Sequence, residues 1–464
     1  MKKTYTLFLL IGMILFACTQ KIEEKNTLPL LKVSDNHRFL VDENGDPFFW
    51  LGDTGWLLFK KCNREEAVTY LKNRKQKGFN VIQVMVLHDL DNTVNVYGDA
   101  AFEDKDVSIP ITTEGNLYND DEQYDFWDHV DYIIKKAGKE GIYMALVPVW
   151  GSNIKNGSVT LEQASKYAEW LANRYKDYNN IIWLNGGDTP GSDSTDIWNA
   201  IGNIINKVDT NHLITFHPRG RLMSSDWFHN EDWLDFNMFQ SGHRRYDQDD
   251  TERAFGQDNW RYVELDYQRK PVKPTIDGEP SYEHIPQGLH DTLQPFWNEN
   301  DVRRYAYWSV FSGAFGHTYG HNSIMQFYKP GDTEKSFGVK KSWTEAMDDP
   351  GASQMIHLKN LILSKPFLER VPDQSIIADG QGEKYDYIVA TRGNRYALIY
   401  TYTGNSFSVD MGKFTASEYS ASWFNPRNGT STEIGEFLIE GVTPFDPPSE
   451  PEEGNDWVLV LDFF

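Results

Sequence analysis

Cysteine is nearly absent from this 464-residue sequence, which holds only Cys18 and Cys62. Two thiols build neither a disulfide framework nor a Cys-based zinc site. Basic charge is scarce as well: 45 Lys and Arg face 68 Asp and Glu, for a net charge of −23. That balance excludes a binder of phosphate backbones, which needs a basic footprint, and argues against electrostatic docking on anionic lipid head groups. No apolar run reaches the ~20 residues of a membrane-spanning helix. No Gly-rich phosphate loop follows the first predicted strand, where Gly52-Asp53-Thr54-Gly55 stands in place of GxGxxG, so no dinucleotide is expected. Aromatics are abundant, at 14% with 15 Trp and 24 Tyr, and these are side chains that stack on sugar rings. The length allows two or three domains of about 100–200 residues.

Lys2 and Lys3 precede an apolar run, Leu7–Phe16, and then Ala17-Cys18. A basic start, a short apolar stretch and a small residue describe a secretory signal, residues 1–17. Leu15-Phe16-Ala17-Cys18 resembles a bacterial lipobox, which implies that Cys18 becomes the acylated first residue. Lys21-Ile22-Glu23-Glu24 is similar to the acidic export signal of surface lipoproteins in Bacteroidetes. The expectation is a chain lipid-anchored to the outer membrane, on the cell surface or the periplasmic side, through a polar tether over 18–27. Cys62 is then left without a partner, and no intramolecular disulfide is expected.

From residue 28 to 368, apolar runs alternate with helix-period segments. Strands are predicted at Phe48–Trp56, Val81–Leu87, Ile142–Trp150, Ile181–Asp188, Leu213–Pro218, Asp235–Gly242, Pro274–Glu279 and Gly313–Tyr319. Helices are predicted at Glu65–Lys77, Asp125–Lys139, Leu161–Lys176, Thr195–Lys207, Asp258–Gln268, Asp301–Phe311 and Ser353–Ser364. Strands that are apolar throughout indicate a parallel sheet covered on both faces. Eight such units suit a (β/α)8 TIM barrel; a doubly wound open sheet is the alternative. Over 369–464 the texture changes to short strands with turns at Gly393-Asn394, Gly404-Asn405 and Asn428-Gly429. That pattern predicts a small antiparallel β-sandwich, with Pro444–Gly454 as an exposed loop.

In a barrel the chemistry sits at the C-terminal ends of the strands. Those ends carry Asp53, His88, Trp150, Asn185, Asp188, His217, Arg219, Gln240, His243, Asp277, Glu279, His317 and Tyr319. Two acidic ends stand out, Asn185-Gly186-Gly187-Asp188 and Asp277-Gly278-Glu279, 91 residues apart. At about 31 residues per unit of a 250-residue barrel, that places them three units apart, nearly opposite across the mouth. Glycoside cleavage needs two carboxyls, one to protonate the leaving oxygen and one to attack or to activate water. Glycines beside both acids suit the turns that would aim them inward.

These residues also carry a resemblance. Asn44-Gly45-Asp46-Pro47-Phe48-Phe49-Trp50-Leu51-Gly52-Asp53-Thr54-Gly55-Trp56 is similar to the opening of the apiosidase-like glycoside hydrolases, family 140. Gly78-Phe79-Asn80-Val81-Ile82-Gln83, Trp183-Leu184-Asn185-Gly186-Gly187-Asp188 and Asp277-Gly278-Glu279-Pro280 resemble later blocks of that family. The C-terminal segment resembles the collagen-binding-type domain of collagenases. The resemblance implies a retaining hydrolase with Asp188 as general acid/base and Glu279 as nucleophile. It implies a substrate too: the apiose–galacturonic acid linkage of the pectic glycan rhamnogalacturonan II.

For those roles Glu279 must stay ionised, with Arg219, His217 or Tyr319 as candidate donors, and Asp188 must hold its proton. Trp56 and Trp150 are the preferred sugar stackers among Trp50, Trp56, Trp150, Trp183 and Trp308. Asp53, His88, Asn185, His217, Arg219, Gln240, Asp277 and Tyr319 complete the expected substrate contacts. An acidic glycan calls for a locally basic cleft, expected at Arg219, Arg221, Arg244 and Arg245. The partner expected is a poly- or oligosaccharide, with no nucleic acid, no obligate protein partner, no cofactor and no metal. Two rivals are a metal hydrolase using His317 and His321, and a surface glycan-binding lipoprotein without catalysis.

Overall fold

A computed structural model describes residues 28–120 and 122–464. The signal segment, Cys18 and the whole of the tether lie outside the described residues. The chain opens on a small antiparallel sheet of Leu31–Val33, Leu40–Asp42 and Pro47–Phe48. Asn44-Gly45 makes its last turn: Asp42 Oδ1 accepts the amides of Asn44 and Asp46 at 2.9 Å each, and Gly45 takes φ +90°.

Eight parallel strands follow: β1 Trp50–Thr54, β2 Val81–Met85, β3 Tyr143–Val147, β4 Ile181–Thr189, β5 Ile214–Pro218, β6 Asn237–Phe239, β7 Thr275–Asp277 and β8 Gly316–Tyr319. Six form one sheet in the order β8-β1-β2-β3-β4-β5, and β6 pairs with β7. At the two seams, Asp235 N donates to Ile214 O at 2.9 Å and Phe315 N to Thr275 O at 3.1 Å. The longer helices are α1 Arg64–Gln76, α2 Phe126–Lys139, α3 Leu161–Tyr175, α4 Thr195–Val208, α5 Asn259–Gln268, α6 Glu299–Phe311 and α7 Pro350–Leu363. Helices between successive parallel strands, except between β5 and β6 where only the short 3-10 turn Ser224–Asp226 stands, give a TIM-barrel-like (β/α)8 order. Helix α1 begins as its sequence predicts, with Asn63 and Glu66 closing a capping box, which satisfies two amides the helix leaves unpaired. Burial follows the two-residue strand period: Met144 and Leu146 join the helix-facing cluster, while Tyr143, Ala145 and Val147 join a second one.

Strands β6 and β7 are shorter than predicted, three residues each. Beyond them the chain bonds across rather than along: Ser241 donates through its hydroxyl to Asp277 Oδ2 at 2.6 Å, and Gly242 N donates to Glu279 O at 3.1 Å.

The C-terminal region holds a six-stranded and a three-stranded antiparallel sheet. Their facing side chains, among them Ile399, Leu459, Trp423, Val409 and Phe445, share one apolar cluster. Ser431–Leu438 and Val442–Phe445 are strands that the sequence pattern does not announce. The first is an edge strand exposed along almost its whole length, so no apolar alternation marks it. The two regions are joined by packing and charge. Trp260 stacks on Tyr387 at 4.1 Å and Tyr307 on Tyr400 at 4.7 Å, and Arg303 grips both oxygens of buried Asp456 at 2.9 Å.

Candidate active site

The C-terminal end of β4 is a run of unusual backbone. Gly186, Gly187 and Asp188 take φ of +92°, +107° and +48° in succession, and the register against β5 shifts there. A Cβ on Gly187 would stand 2.5 Å from the Trp150 ring, and one on Gly186 would stand 2.7 Å from His217 O. Only glycines allow this bulge. It leaves Asp188 in a left-handed conformation that costs a non-glycine residue free energy, and its side chain on the wall of a cavity of about 430 Å³. That volume lies in the range of ligand sites, about 300–1,000 Å³.

Glu279, two residues past β7, lines the same cavity and is nearly buried. His243 Nε2 is hydrogen-bonded to its Oε1 at 3.3 Å. His217 Nε2 lies 3.3 Å from Oε2, in contact but less well aligned. The ring of His217 accepts the Asp188 amide on Nδ1 at 3.4 Å. Its proton therefore belongs on Nε2, facing Glu279. Burial alone would push the Glu279 carboxyl up; the two imidazoles outweigh it and hold the group well below the usual carboxylate range. Asp188 moves the other way. Crowding by protein raises its pKa and the Glu279 charge raises it further, against a smaller opposing pull from His217, Arg219 and His243. Solvent reaches Asp188 through the cavity mouth, yet the protein packed around the carboxylate and the neighbouring charge dominate. Two carboxyls in one pocket are thus driven apart in acidity, the arrangement that divides proton donor from ionised partner.

Aromatic rings form the wall beside them. Trp56 Nε1 donates to Tyr282 OH at 2.8 Å, and its ring meets Trp150 at 5.4 Å and the His217 ring edge-on at 5.3 Å.

The comparisons with known proteins fit this geometry. The pattern described as "Apiosidase-like, catalytic domain" matches residues 34–369. The chain belongs to that family. Residues 371–462 match the "Putative collagen-binding domain of a collagenase". No curated protein matches the chain. Among solved structures, one described as a glycoside hydrolase is 49% identical, with a TM-score of 0.88 over 94% of this chain and 97% of its own. Another, a family 5 glycoside hydrolase from Bacteroides vulgatus, is 47% identical, with a TM-score of 0.89 over 95% of each chain. An endo-1,4-β-mannanase from Rhizomucor miehei shares the fold alone, at 15% identity and a TM-score of 0.50, over 72% of this chain and all of its own. The protein is a glycosidase.

In this apiosidase-like hydrolase the structure gathers Trp56, His88, Trp150, Asp188, Gln240 and Glu279 around one cavity. His88 Nδ1 and Gln240 Oε1 are buried and have no hydrogen-bond partner among the described residues. Trp50, Trp183 and Trp308 are fully buried core instead, and Trp183 Nε1 is spent on Asp209 Oδ2 at 2.8 Å.

Several expected contacts fall outside the cavity. Asp53 is buried between Tyr70 OH at 2.6 Å and Arg74 Nε at 2.5 Å. Asp277 is held by Ser241 and by Asn259 Nδ2 at 3.1 Å. Asn185 Nδ2 donates to Trp198 O at 2.8 Å. Tyr319, a candidate donor to Glu279, donates to Glu283 Oε2 at 2.6 Å instead. His217 acts from behind Glu279, and Arg219 is exposed on the Asp188 side. The expected basic cleft is also differently built. Arg244 pairs with Asp250, and Arg245 with Asp247 at 2.9 Å; neither lines the cavity, nor does Arg221. Lys60, Lys61 and Lys335 do. Lys61 is taken by Asp332 at 2.5 Å, whereas Lys60 and Lys335 have no ion-pair partner among the described residues.

His243 and Tyr282 also line the cavity, beyond the expected substrate contacts. His243 ends a predicted strand and was legible as a polar strand end; Tyr282 lies in the loop beyond β7 and gave no signal. The His317–His321 spacing does not converge: both ring nitrogens of His317 are buried without a partner. His321, His284 and Asp349 do cluster within 4.8 Å. However, His321 Nδ1 accepts Ser323 N–H at 3.0 Å, its Nε2 lies 2.8 Å from Asp349, and Lys341 Nζ sits 2.6 Å from both Asp349 oxygens. Two of the three groups, His321 and Asp349, are thus already engaged with protein partners.

Proposed function

We propose that this glycosidase works with retention, Glu279 attacking the anomeric carbon and Asp188 protonating the leaving glycosidic oxygen. Asp188 then takes a proton from the water that releases the glycosyl-enzyme. The observation that carries this reading is the opposed acidity of the two carboxyls: Glu279 is kept ionised by His217 and His243, while burial and the Glu279 charge raise the Asp188 pKa to about 6, which favours its proton. Trp56 and Trp150 offer the sugar its stacking face, and His88 and Gln240 its hydroxyl partners.

The substrate we propose is pectic, with the apiose–galacturonic acid linkage of rhamnogalacturonan II as the bond cut. Family membership supports the linkage. Lys60, a cation without a counter-ion on the cavity wall of a chain with net charge −23, supports an acidic sugar nearby. The same reading takes the eight strands as a closed (β/α)8 barrel over 28–368 and the C-terminal sheets, 369–464, as an accessory β-sandwich. It places the enzyme on the outer membrane, anchored through lipidated Cys18 after removal of residues 1–17.

The test is incubation with rhamnogalacturonan II and with a panel of other arabinose- or apiose-containing pectic glycans, following new reducing ends and the anomeric configuration of the first product by NMR. Release of product with retained configuration supports the reading. An inverted first product overturns the mechanism, cleavage of a different glycan overturns the linkage, and binding without release returns the chain to a glycan-binding role.

A further inference from the structure

A second cavity, of about 530 Å³, lies wholly within the C-terminal domain. It forms where the Gly393–Arg395 turn meets Lys413–Ala416 and the final strand. This is the face opposite the cleft. Helix α6 starts on the catalytic side, as helices after barrel strands do. Beyond its far end, Arg370 bonds Ala314 O at 2.6 Å, and the next residue, Val371, pairs with Arg392. The cavity cannot be a subsite of the active site.

Its chemistry departs from that of the rest of the protein. Arg392, Arg395 and Lys413 gather on its rim in a chain whose net charge is −23. Three acids beside it already have partners. Asp373 holds Arg392 Nε at 2.7 Å, Asn394 holds Glu369 at 2.8 Å, and Asp462 is paired with Lys365 at 2.5 Å. Arg395 and Lys413 are exposed and have no side-chain hydrogen bond or ion pair among the described residues. Like charges gathered without counter-ions repel one another, and an anionic ligand relieves that repulsion. The floor is apolar: Phe414 stacks on Phe463 with centroids 4.1 Å apart and planes at 24°, and Phe464 is 53% exposed beside them. Cations above a flat aromatic floor fit a sugar ring that bears a carboxylate, with its apolar face down and its charge on the rim. A bilayer presents a flat array of head groups and favours protruding side chains over a concavity.

We propose that this pocket is a second glycan-binding site, selective for uronate-bearing chains, which holds acidic polysaccharide on the accessory domain independently of the cleft. Only the choice of a glycan as ligand rests on the proposed function. The probe is polygalacturonate, cast into native gels through which the full chain is run as the Glu279→Gln variant, with neutral galactan gels as the control. Retardation is expected in polygalacturonate alone and should fade as salt rises. The double substitution Arg395→Ala/Lys413→Ala should weaken it about tenfold with an unchanged melting temperature, and Phe414→Ala should also weaken it. Lys60→Ala, in the cleft, should leave it intact.

Equal retardation of the double variant, equal retardation in galactan, or loss through Lys60→Ala instead would overturn the site. So would a double variant that loses flotation with phosphatidylglycerol vesicles while keeping its retardation. Cleavage of short soluble fragments by the otherwise unaltered enzyme should not change in the double variant. A chain that cuts no glycan but is retarded through Arg395 and Lys413 keeps this site and sinks the catalytic roles. Normal cleavage with unaltered retardation does the reverse.

Discussion

Nδ1 of His217 accepts the backbone amide of Asp188 at 3.4 Å, so one imidazole is tied to one acid while its other nitrogen faces the second. That nitrogen lies 3.3 Å from Glu279 Oε2. The ring fixes the position of the Asp188 loop and the charge of Glu279 together, which makes the pair a single unit rather than two independent groups.

Asp188→Asn and Glu279→Gln should each reduce kcat by at least about 10²–10⁴-fold, the span assigned to one positioned acid–base group. A folded variant with normal turnover would remove that residue from the mechanism. Stability should move oppositely for Asp188. Its folded pKa is raised, so its ionisation disfavours the folded state once pH exceeds the unfolded carboxylate value. Asn also tolerates the left-handed backbone at φ +48°. Asp188→Asn should therefore melt higher than the parent at neutral pH and converge with it in acid, by calorimetry.

The pH profile of kcat/KM should be bell-shaped. Its acid limb belongs to Glu279, held below the carboxylate range by His217 and His243 after burial is overcome; its alkaline limb belongs to Asp188, raised by burial and Glu279. Replacing His243 with Ala removes a stabiliser of the Glu279 carboxylate, so the acid limb should move to higher pH. Arg219 pulls the Asp188 pKa down, so Arg219→Ala should move the alkaline limb to higher pH. A displacement in the opposite direction would reject the assigned limb.

Gly187→Ala places a Cβ 2.5 Å from the Trp150 ring at φ +107°. Thermal unfolding should show a loss of about 1–3 kcal/mol, and turnover should fall with it, because the same bulge aims Asp188. Full activity with wild-type melting would mean that the strand end can relax without the glycine.

Lys60→Ala should raise KM on acidic glycans about fivefold and leave neutral substrates unaffected, about the effect of one exposed charge contact. Arg244→Ala, whose guanidinium is taken by Asp250, should change neither. Steady-state kinetics on paired acidic and neutral substrates separates the two residues.

Asp456→Asn leaves the buried Arg303 guanidinium without its counter-charge. The cost should be about 3–5 kcal/mol in urea unfolding, and it should extend to the (β/α)8 domain because Arg303 belongs to α6. Two separate unfolding transitions with an unchanged first midpoint would show that the domains do not stabilise each other.

How much of this was readable in advance follows the physics of each signal. Helix α1 was marked by Asn63 and Gly78, because caps are local chemistry within a few residues. Strands β2–β4 were marked by unbroken apolar runs, because both faces of a parallel sheet are buried. The edge strand Ser431–Leu438 was not, since exposure on both sides erases the alternation. Trp56 and Trp183 read alike as strand aromatics; one lines the cavity and the other fills the core.

By itself, then, the sequence determined the order of the elements, the two acids at strand ends and the glycines that turn one of them inward, because these depend on neighbours along the chain. Tertiary structure decided which polar groups are free to react. Asp53 and Asp277 sit at strand ends as Asp188 does, yet Arg74 and Tyr70 neutralise the first and Ser241 and Asn259 engage the second. The same holds for charge: Arg244 and Arg245, expected in the cleft, found nearby aspartates, and Lys60 was left to face the cavity. A side chain's availability is set by partners up to hundreds of residues away, and local pattern carries no record of them.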